Sequence, residues 1–335
     1  MNDPLLSVTE PVLSVKSLVV HFGAFPAVQD VTFDLRQGET VGLVGESGSG
    51  KSTLARAILR LIPATSGSVF VSGDNLLSCR PADLRRRRRD LQMVFQDPLA
   101  SLNPRMSVGA ALAEPLKIHD PSLSAPLRTA RVMEMLERVG LSPGMAVRYP
   151  HEFSGGQCQR IGIARAMILR PKLLVCDEPV SSLDVSIQGQ IVNLLVDLQK
   201  ELGTAMLFIS HNLAVIRHLS HRVLVIYRGR LVEAADSEQL FAAPAHPYTQ
   251  ALLAAVPNPT RVPAATPIAV VDETPVAAAR EGGCAFVDRC PYAQDQCRLT
   301  APSLGEIGVR HAAACHRWRE VVYSWGHEAR NSRSR

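Results

Sequence analysis

The chain predicts an α/β fold, and three stretches carry that expectation. The apolar run Thr40–Val44 passes through Gly45-Glu46-Ser47-Gly48-Ser49-Gly50-Lys51-Ser52 into the helix-like run Leu54–Leu61. Two further buried runs, Lys172–Cys176 and Ala205–Ile209, deliver Asp177-Glu178 and Ser210-His211 to strand ends, where an α/β sheet presents ligand-binding groups. Between those runs, Ile187, Ile191, Leu194, Leu195, Leu198 and Leu202 recur at helical spacing.

With 335 residues, 46% of them apolar, and a net charge of +5, the chain can bury one large core and carry a smaller second piece. Residues 1–10 lack a basic start followed by an apolar block, so no secretory leader is expected. No apolar run approaches the ~18 residues that cross a bilayer. A soluble, cytoplasmic protein follows as the expectation, with any membrane contact made through a partner. The mild positive charge permits nucleic acid nearby without demanding it. Seven cysteines in a cytosolic chain are not a disulfide framework; four of them, Cys284, Cys290, Cys297 and Cys315, crowd into the last quarter and mark a second module.

Taken in order, Val12–Val20 alternates as a strand, and Val31–Leu35 reads as a second one ending at the turn Gln37-Gly38. Phe22 precedes the Gly-rich loop by enough chain to fold back beside it, where its ring could stack on a base. In Gly45–Ser52 the glycines let backbone N–H groups turn inward as a nest, and the following helix adds its positive end. Polyphosphate is the natural ligand: Lys51 would meet the β/γ-phosphates and the Ser52 hydroxyl would hold a Mg²⁺. Val69–Val71 with Ser72-Gly73 suggests a hairpin edge. Arg85–Arg89 has no interleaved aromatics and reads as a solvated helix face, so no nucleic-acid role is expected of it.

Gln96 closes the run Met93-Val94-Phe95 ahead of Asp97-Pro98, which must stop the strand. Residues 97–165 turn helical, with Leu127, Val132, Leu136 and Val139 among charged residues. Within them Phe153-Ser154-Gly155-Gly156-Gln157 opens a helix. Ser154 and Gln157 stand at capping-box spacing, yet two successive glycines are unnecessary for capping and bare N–H groups to an anion. Asp177 would hold the Mg²⁺ shell and Glu178 would polarise an attacking water. Val223–Tyr227 and Leu231–Glu233 flank Arg228-Gly229 as a hairpin. Residues 256–281 carry Pro257, Pro259, Pro263, Pro267 and Pro275 and read as an extended linker.

Over residues 12–255 the assembled motifs resemble the ATP-binding subunit of an ABC transporter. Gly45–Ser52 looks like its Walker A loop, Gln96 its Q-loop, Phe153–Gln157 its LSGGQ signature and Leu173–Glu178 its Walker B strand with the following glutamate. Ser182–Asp184 resembles the D-loop and His211 the switch histidine. Phe153 replaces the usual leucine of the signature and Ser182 the common alanine of the D-loop. Met93–Pro98, Ser101–Pro104, Phe153–Arg160 and His246-Pro247-Tyr248-Thr249-Gln250 are similar to the oligopeptide/dipeptide importer ATPases, particularly the second, F-type, of their two ATPases.

That resemblance implies a P-loop NTPase fold of the ABC-ATPase kind over residues 1–255, with an antiparallel β subdomain, a helical subdomain over about 97–165, and a cysteine-rich extension at 282–335. It implies ATP and Mg²⁺ as cofactors. Nucleotide would contact Phe22, Gly45 through Ser52, Thr53, Ser154, Gly155, Gly156, Gln157 and Asp184; Ser52, Gln96 and Asp177 would hold Mg²⁺; Glu178, His211 and Gln96 would act in catalysis. Because Walker A and the signature lie on separate lobes, a complete site needs two subunits head to tail. The partners implied are a homologous ATPase in a heterodimer, two permease subunits and, through the complex, a solute-binding protein, at the cytoplasmic face of the inner membrane. Cys284, Cys290, Cys297 and Cys315 could bind a [4Fe–4S] cluster or zinc. The set lacks the C-x-x-C pairs of most zinc sites, and Arg289-Cys290-Pro291 with Cys315-His316 resembles an iron–sulfur motif of the family, so the cluster is the expectation. The other class open to such a cassette is a soluble ABC ATPase of DNA repair or translation; the long heptad coiled coil of the repair type and the tandem cassettes of the ribosomal type are both missing from the sequence.

Overall fold

The computed structural model describes residues 10–255 and 282–331; the Pro-rich stretch 256–281 lies outside them. The strands, in chain order, are β1 (Leu13–Phe22), β2 (Phe25–Leu35), β3 (Thr40–Val44), β4 (Ser66–Val71), β5 (Asp74–Asn75), β6 (Leu91–Val94), β7 (Leu173–Asp177), β8 (Ala205–Ile209), β9 (Arg222–Tyr227), β10 (Arg230–Asp236), β11 (Gly305–Gly308) and β12 (His311–Ala313). Both β1 and β2 run further than the alternation of their apolar residues indicated. Only Gly23-Ala24 separates them, and Gly23 takes φ +59° at the turn, a conformation open to glycine at no steric cost.

The chain forms two compact units. One comprises the segment ending at Leu18, Thr32–Thr40 and Ala55–Ile209. Its parts of β1 and β2 combine with β4 and β5 in the order β2-β1-β4-β5. Its other strands, β6, β7 and β8, are parallel, Leu91 facing Leu173 and Leu173 facing Ala205. Every residue of β7 and β8 is buried, which is why Leu173–Cys176 and Ala205–Ile209 read as continuous apolar runs and not as alternating ones. The helices Val108–His119, Ala125–Arg138 and Gly155–Met167 bury Leu112, Leu136, Ile161 and Ile163 completely. Two arginines of the third helix tie this layer together: Arg160 donates to the Val139 carbonyl at 2.8 Å and Arg165 to that of Ser101 at 2.5 Å. Helix Val185–Leu202 ends at Gly203, whose left-handed backbone (φ +63°) closes its last turn. The arginine run does more than face solvent: Arg88 donates to the Leu59 and Arg60 carbonyls, and burial lowers its pKa.

The second unit comprises Val19–Val31, Val41–Leu54 and the chain from Ser210 onward. Here β3 pairs parallel with β9, and β9 turns through Arg228 (φ +47°) and Gly229 (φ +79°) into antiparallel β10. The sequence beyond residue 282 adds β12 to β10 and β11 to β12, so the order runs β3-β9-β10-β12-β11. Helix Pro247–Ala254 packs in the same unit, and Gln250 donates to the Val321 carbonyl at 2.7 Å. Tyr248, Phe286 and Tyr227 cluster with ring centroids 4.6–5.6 Å apart, tilted or edge-on as aromatic quadrupoles prefer. Among the described residues no helix is long and apolar enough to cross a membrane.

Candidate nucleotide site

In the second unit, β3 ends at Val44 and helix Lys51–Ile58 begins after a six-residue loop; that loop is fixed by close packing. A Cβ on Gly45 would lie 2.3 Å from the Ile226 carbonyl oxygen, and one on Gly50, where φ is +101°, would lie 2.4 Å from that of Ala27. Neither position admits another residue. Gly229 N–H donates to the Ser49 carbonyl at 2.9 Å, and Gln29 N–H donates to the Gly229 carbonyl at 2.8 Å, so the hairpin turn and β2 brace the loop. The buried Lys51 ammonium donates to the Gly45 and Glu46 carbonyls, both at 2.8 Å. Ser52 and Thr53 occupy the first turn of the helix, where unpaired N–H groups and the helix dipole favour an anion. A rigid loop with a lysine held over it, opening a helix, fits a polyphosphate.

Glu46 is placed differently from the other loop residues. Its N–H donates to the Tyr248 hydroxyl at 2.7 Å, and its carboxylate accepts both η nitrogens of Arg289 at 2.9 and 3.0 Å. These contacts raise the pKa of Arg289, chiefly through the Glu46 hydrogen bond. Burial, then the Glu46 carboxylate, raises that of Tyr248. Phe22 stands at the end of β1, 54% exposed and open to stacking. Ser210 N–H donates to the Leu43 carbonyl at 3.3 Å, which sets the exposed His211 one residue past the chain's bond to β3.

The first unit holds the remaining candidates. Asp177 is the buried last residue of β7, and Glu178 follows with φ +47°, a left-handed backbone that costs a non-glycine residue about 1 kcal/mol or more. Its N–H donates to the Ile209 carbonyl at 3.0 Å, holding the strained turn. Strain of this kind gathers at functional sites. Gln96 lies exposed two residues beyond β6. Ser154 caps helix Gly155–Met167: its hydroxyl accepts Gln157 N–H and the Gln157 side chain accepts Ser154 N–H, so the capping reading of these two residues is what the structure displays. The glycines have a separate reason. A Cβ on Gly156 would lie 2.8 Å from Ile187 Cγ2, so helix Gly155–Met167 can start against helix Val185–Leu202 only with glycine there. Asp184 is the N-terminal flanking residue of the latter helix.

Cys284, Cys290, Cys297 and Cys315 line one cavity together with His246 and Phe286. Burial pushes the Cys290 thiol up to about 11 and Cys315 to about 12, while backbone N–H groups of Tyr292 and Arg317 pull the other way. Among the described residues, however, no three His, Cys, Asp or Glu side chains form a group arranged to hold a metal ion. The four thiols share a cavity but form no such group, and the iron–sulfur expectation gains no support from this arrangement. Sequence reasoning passed over Glu233, which is fully buried in β10 and accepts hydrogen bonds from Ala245 N–H, His246 N–H and His311 Nε2. A single glutamate in a hairpin strand gives no signal of such a role.

Comparison with known proteins agrees with this geometry. Residues 28–181 match the ABC transporter family, and residues 232–297 match the oligopeptide/dipeptide transporter C-terminal region. The chain is 52% identical over 291 residues to the oligopeptide transport ATP-binding protein OppF of Escherichia coli K12, covering 86% of this chain and 87% of that one. It is 50% identical over 318 residues to OppF of Salmonella typhimurium, covering 90% and 95%. Among solved structures, it resembles the dimeric post-hydrolysis state of the ATP-binding cassette MJ0796 bound to ADP and Pi (TM-score 0.62, 28% identity, 67% of this chain and 98% of that). It also resembles cbiO1 from Clostridium perfringens, part of the ABC transporter complex cbiONQ (TM-score 0.64, 26% identity, 70% and 91%). The fold, the phosphate loop and the C-terminal match together make this chain a member of the ABC transporter ATP-binding family, in its oligopeptide/dipeptide branch.

Proposed function

We propose that the protein binds and hydrolyses ATP to energise an oligopeptide or dipeptide importer. The observation that carries this is the braced loop Gly45–Ser52 with Lys51 folded over it at the head of a helix; the names of its relatives supply the transport context. Bound ATP would supply a phosphoanhydride bond and Mg²⁺ the charge that offsets its cleavage. The loop amides from Gly45 to Thr53 and the Lys51 ammonium hold the phosphates, Phe22 stacks on the base, and Ser52, Gln96 and Asp177 are the candidates for the metal shell. Glu178, with His211, orients and deprotonates the attacking water. Ser154, Gly155, Gly156, Gln157 and Asp184 act on nucleotide held by a second, homologous ATPase in a head-to-tail heterodimer. The dimer drives two permease subunits at the cytoplasmic face of the membrane, fed by a solute-binding protein. Assembly of the purified chain with its ATPase and permease partners in vesicles tests the reading: solute uptake should require ATP and stop with Lys51→Ala. Co-purification with ribosomes or DNA and not with permeases would instead favour a translation or repair ATPase.

A metal-bound state of the cysteine cavity stays a proposal. Its support is the sequence pattern of Cys284, Cys290-Pro291, Cys297 and Cys315-His316, together with the Arg317 N–H that donates to Cys315 Sγ at 3.4 Å, the polarity that suits a thiolate. A [4Fe–4S] cluster is placed ahead of zinc. Iron and sulfide analysis of anaerobically purified protein decides; a colourless, zinc-loaded chain removes the cluster.

A further inference from the structure

Every polar group of Glu46 is tied down; its carbonyl is held within the loop, by Ser49 N–H and Lys51, while its N–H and carboxylate are held from far down the chain. Its carbonyl accepts from Lys51 at 2.8 Å, its N–H donates to Tyr248, and its carboxylate is held by both η nitrogens of Arg289. Arg289 is in turn flanked by rings, with its guanidinium carbon 5.4 Å from the Phe286 centroid and 5.9 Å from that of Tyr227. Fork-to-fork pairing of this kind fixes orientation as well as charge. Arg289 and Glu46 are each about three-quarters buried, so the pair is shielded in part from solvent screening.

A carboxylate inside a loop built to receive polyphosphate is an electrostatic liability. Unpaired, it repels the ligand, and only a neighbouring cation removes that repulsion. The geometry points to Arg289 as a positioning residue for the phosphate loop: it neutralises Glu46 and, with Tyr248, fixes the loop's first turn, so that nucleotide affinity depends on the docking of the C-terminal segment around residues 284–290. Nothing in this requires a metal in the cysteine cavity. It rests on the reading of Gly45–Ser52 as a nucleotide site, and because coupling is reciprocal, nucleotide must strengthen the docking by the same factor that docking strengthens nucleotide binding.

Equilibrium binding of ATP in EDTA to the purified full-length chain tests this without turnover. Arg289→Gln should weaken binding on the order of tenfold, because it leaves the Glu46 carboxylate unpaired within the loop that receives the phosphates. Glu46→Gln/Arg289→Gln should return to within about threefold of Glu46→Gln alone, because the charge that needed neutralising is gone. Arg289→Lys, which keeps the charge and loses the fork, should fall between wild type and Arg289→Gln. In steady-state assays with the partners present, the Arg289→Gln defect should lie in KM for ATP and leave kcat within about twofold. Wild-type affinity in Arg289→Gln overturns the inference, as does a double variant as weak as Arg289→Gln, which would mean that Arg289 only holds the extension folded. Absence of ATP binding by the wild type overturns the nucleotide reading itself, and this inference with it.

Discussion

His311 Nε2 and Glu233 Oε1 lie 2.8 Å apart, both buried, joining β12 to β10. The same carboxylate accepts the N–H groups of Ala245 and His246, so one side chain fixes the C-terminal strand pair and the approach to helix Pro247–Ala254. Glu233→Ala would leave two buried amides and a histidine without their acceptor. It should lower unfolding free energy by about 3–5 kcal/mol, read by urea denaturation; a loss under about 1 kcal/mol would show that the network is replaceable.

Removing the Glu178 carboxylate while keeping its shape should separate binding from turnover. Glu178→Gln is expected to bind ATP as the wild type does and to lose about 10²–10⁴-fold in ATPase rate, whereas Lys51→Ala should lose both. Full ATPase activity in Glu178→Gln, assayed with partner subunits, would take Glu178 out of the mechanism.

Gly156 should tolerate no side chain. With Ile187 Cγ2 only 2.8 Å from the place a Cβ would take, Gly156→Val must push helix Gly155–Met167 away from helix Val185–Leu202, at about 1–3 kcal/mol. Gly155→Ala, whose Cβ would meet Leu183 at an ordinary 3.8 Å, should cost under about 1 kcal/mol. Thermal unfolding of the two variants compares them directly, and equal midpoints would contradict the packing argument.

Acid should destabilise the protein through His246. Its ring is fully buried, its Nδ1 accepts Tyr248 N–H at 3.0 Å, and burial lowers its pKa to about 3. A histidine with an unfolded value near 6.5 takes up a proton in the unfolded chain first. Its stabilising contribution is therefore complete above pH ~6.5 and is lost as pH falls towards ~3, with a slope of about 1.4 kcal/mol per pH unit. His246→Asn, which can still accept from Tyr248 N–H, should lack that slope. Denaturation curves between pH ~4 and ~7 check the difference, and parallel pH profiles would exclude the assignment. That window starts about one unit above the folded value.

What could be seen in the sequence was local. The phosphate loop is eight consecutive residues between a buried strand and a helix, and β7 and β8 announce themselves because burial on both faces keeps them apolar up to Asp177, which closes β7. The same holds for the hairpin at Arg228-Gly229, whose signal is a turn pair between two apolar runs. What escaped was long-range or short. The extension's strands, Gly305–Gly308 and His311–Ala313, are too brief and too poor in branched residues to alternate visibly, and they exist because β10 offers them a ladder. The pairing of Glu46 with Arg289 spans 243 positions, and a charged residue carries no mark of a partner so far away. Ser154 shows the reverse case, in which a local pattern, the capping box with Gln157, is fully realised.

The pairing of β12 with β10 has a practical consequence for anyone shortening this chain. Expression of residues 1–255 alone, the apparent minimal cassette, would strip the outer flank of β10 and leave its amides and carbonyls without a strand partner, with Glu233 deprived of its histidine. Exposed flanks of that kind recruit other strands, so such a fragment should precipitate or self-associate where the full-length chain stays dispersed.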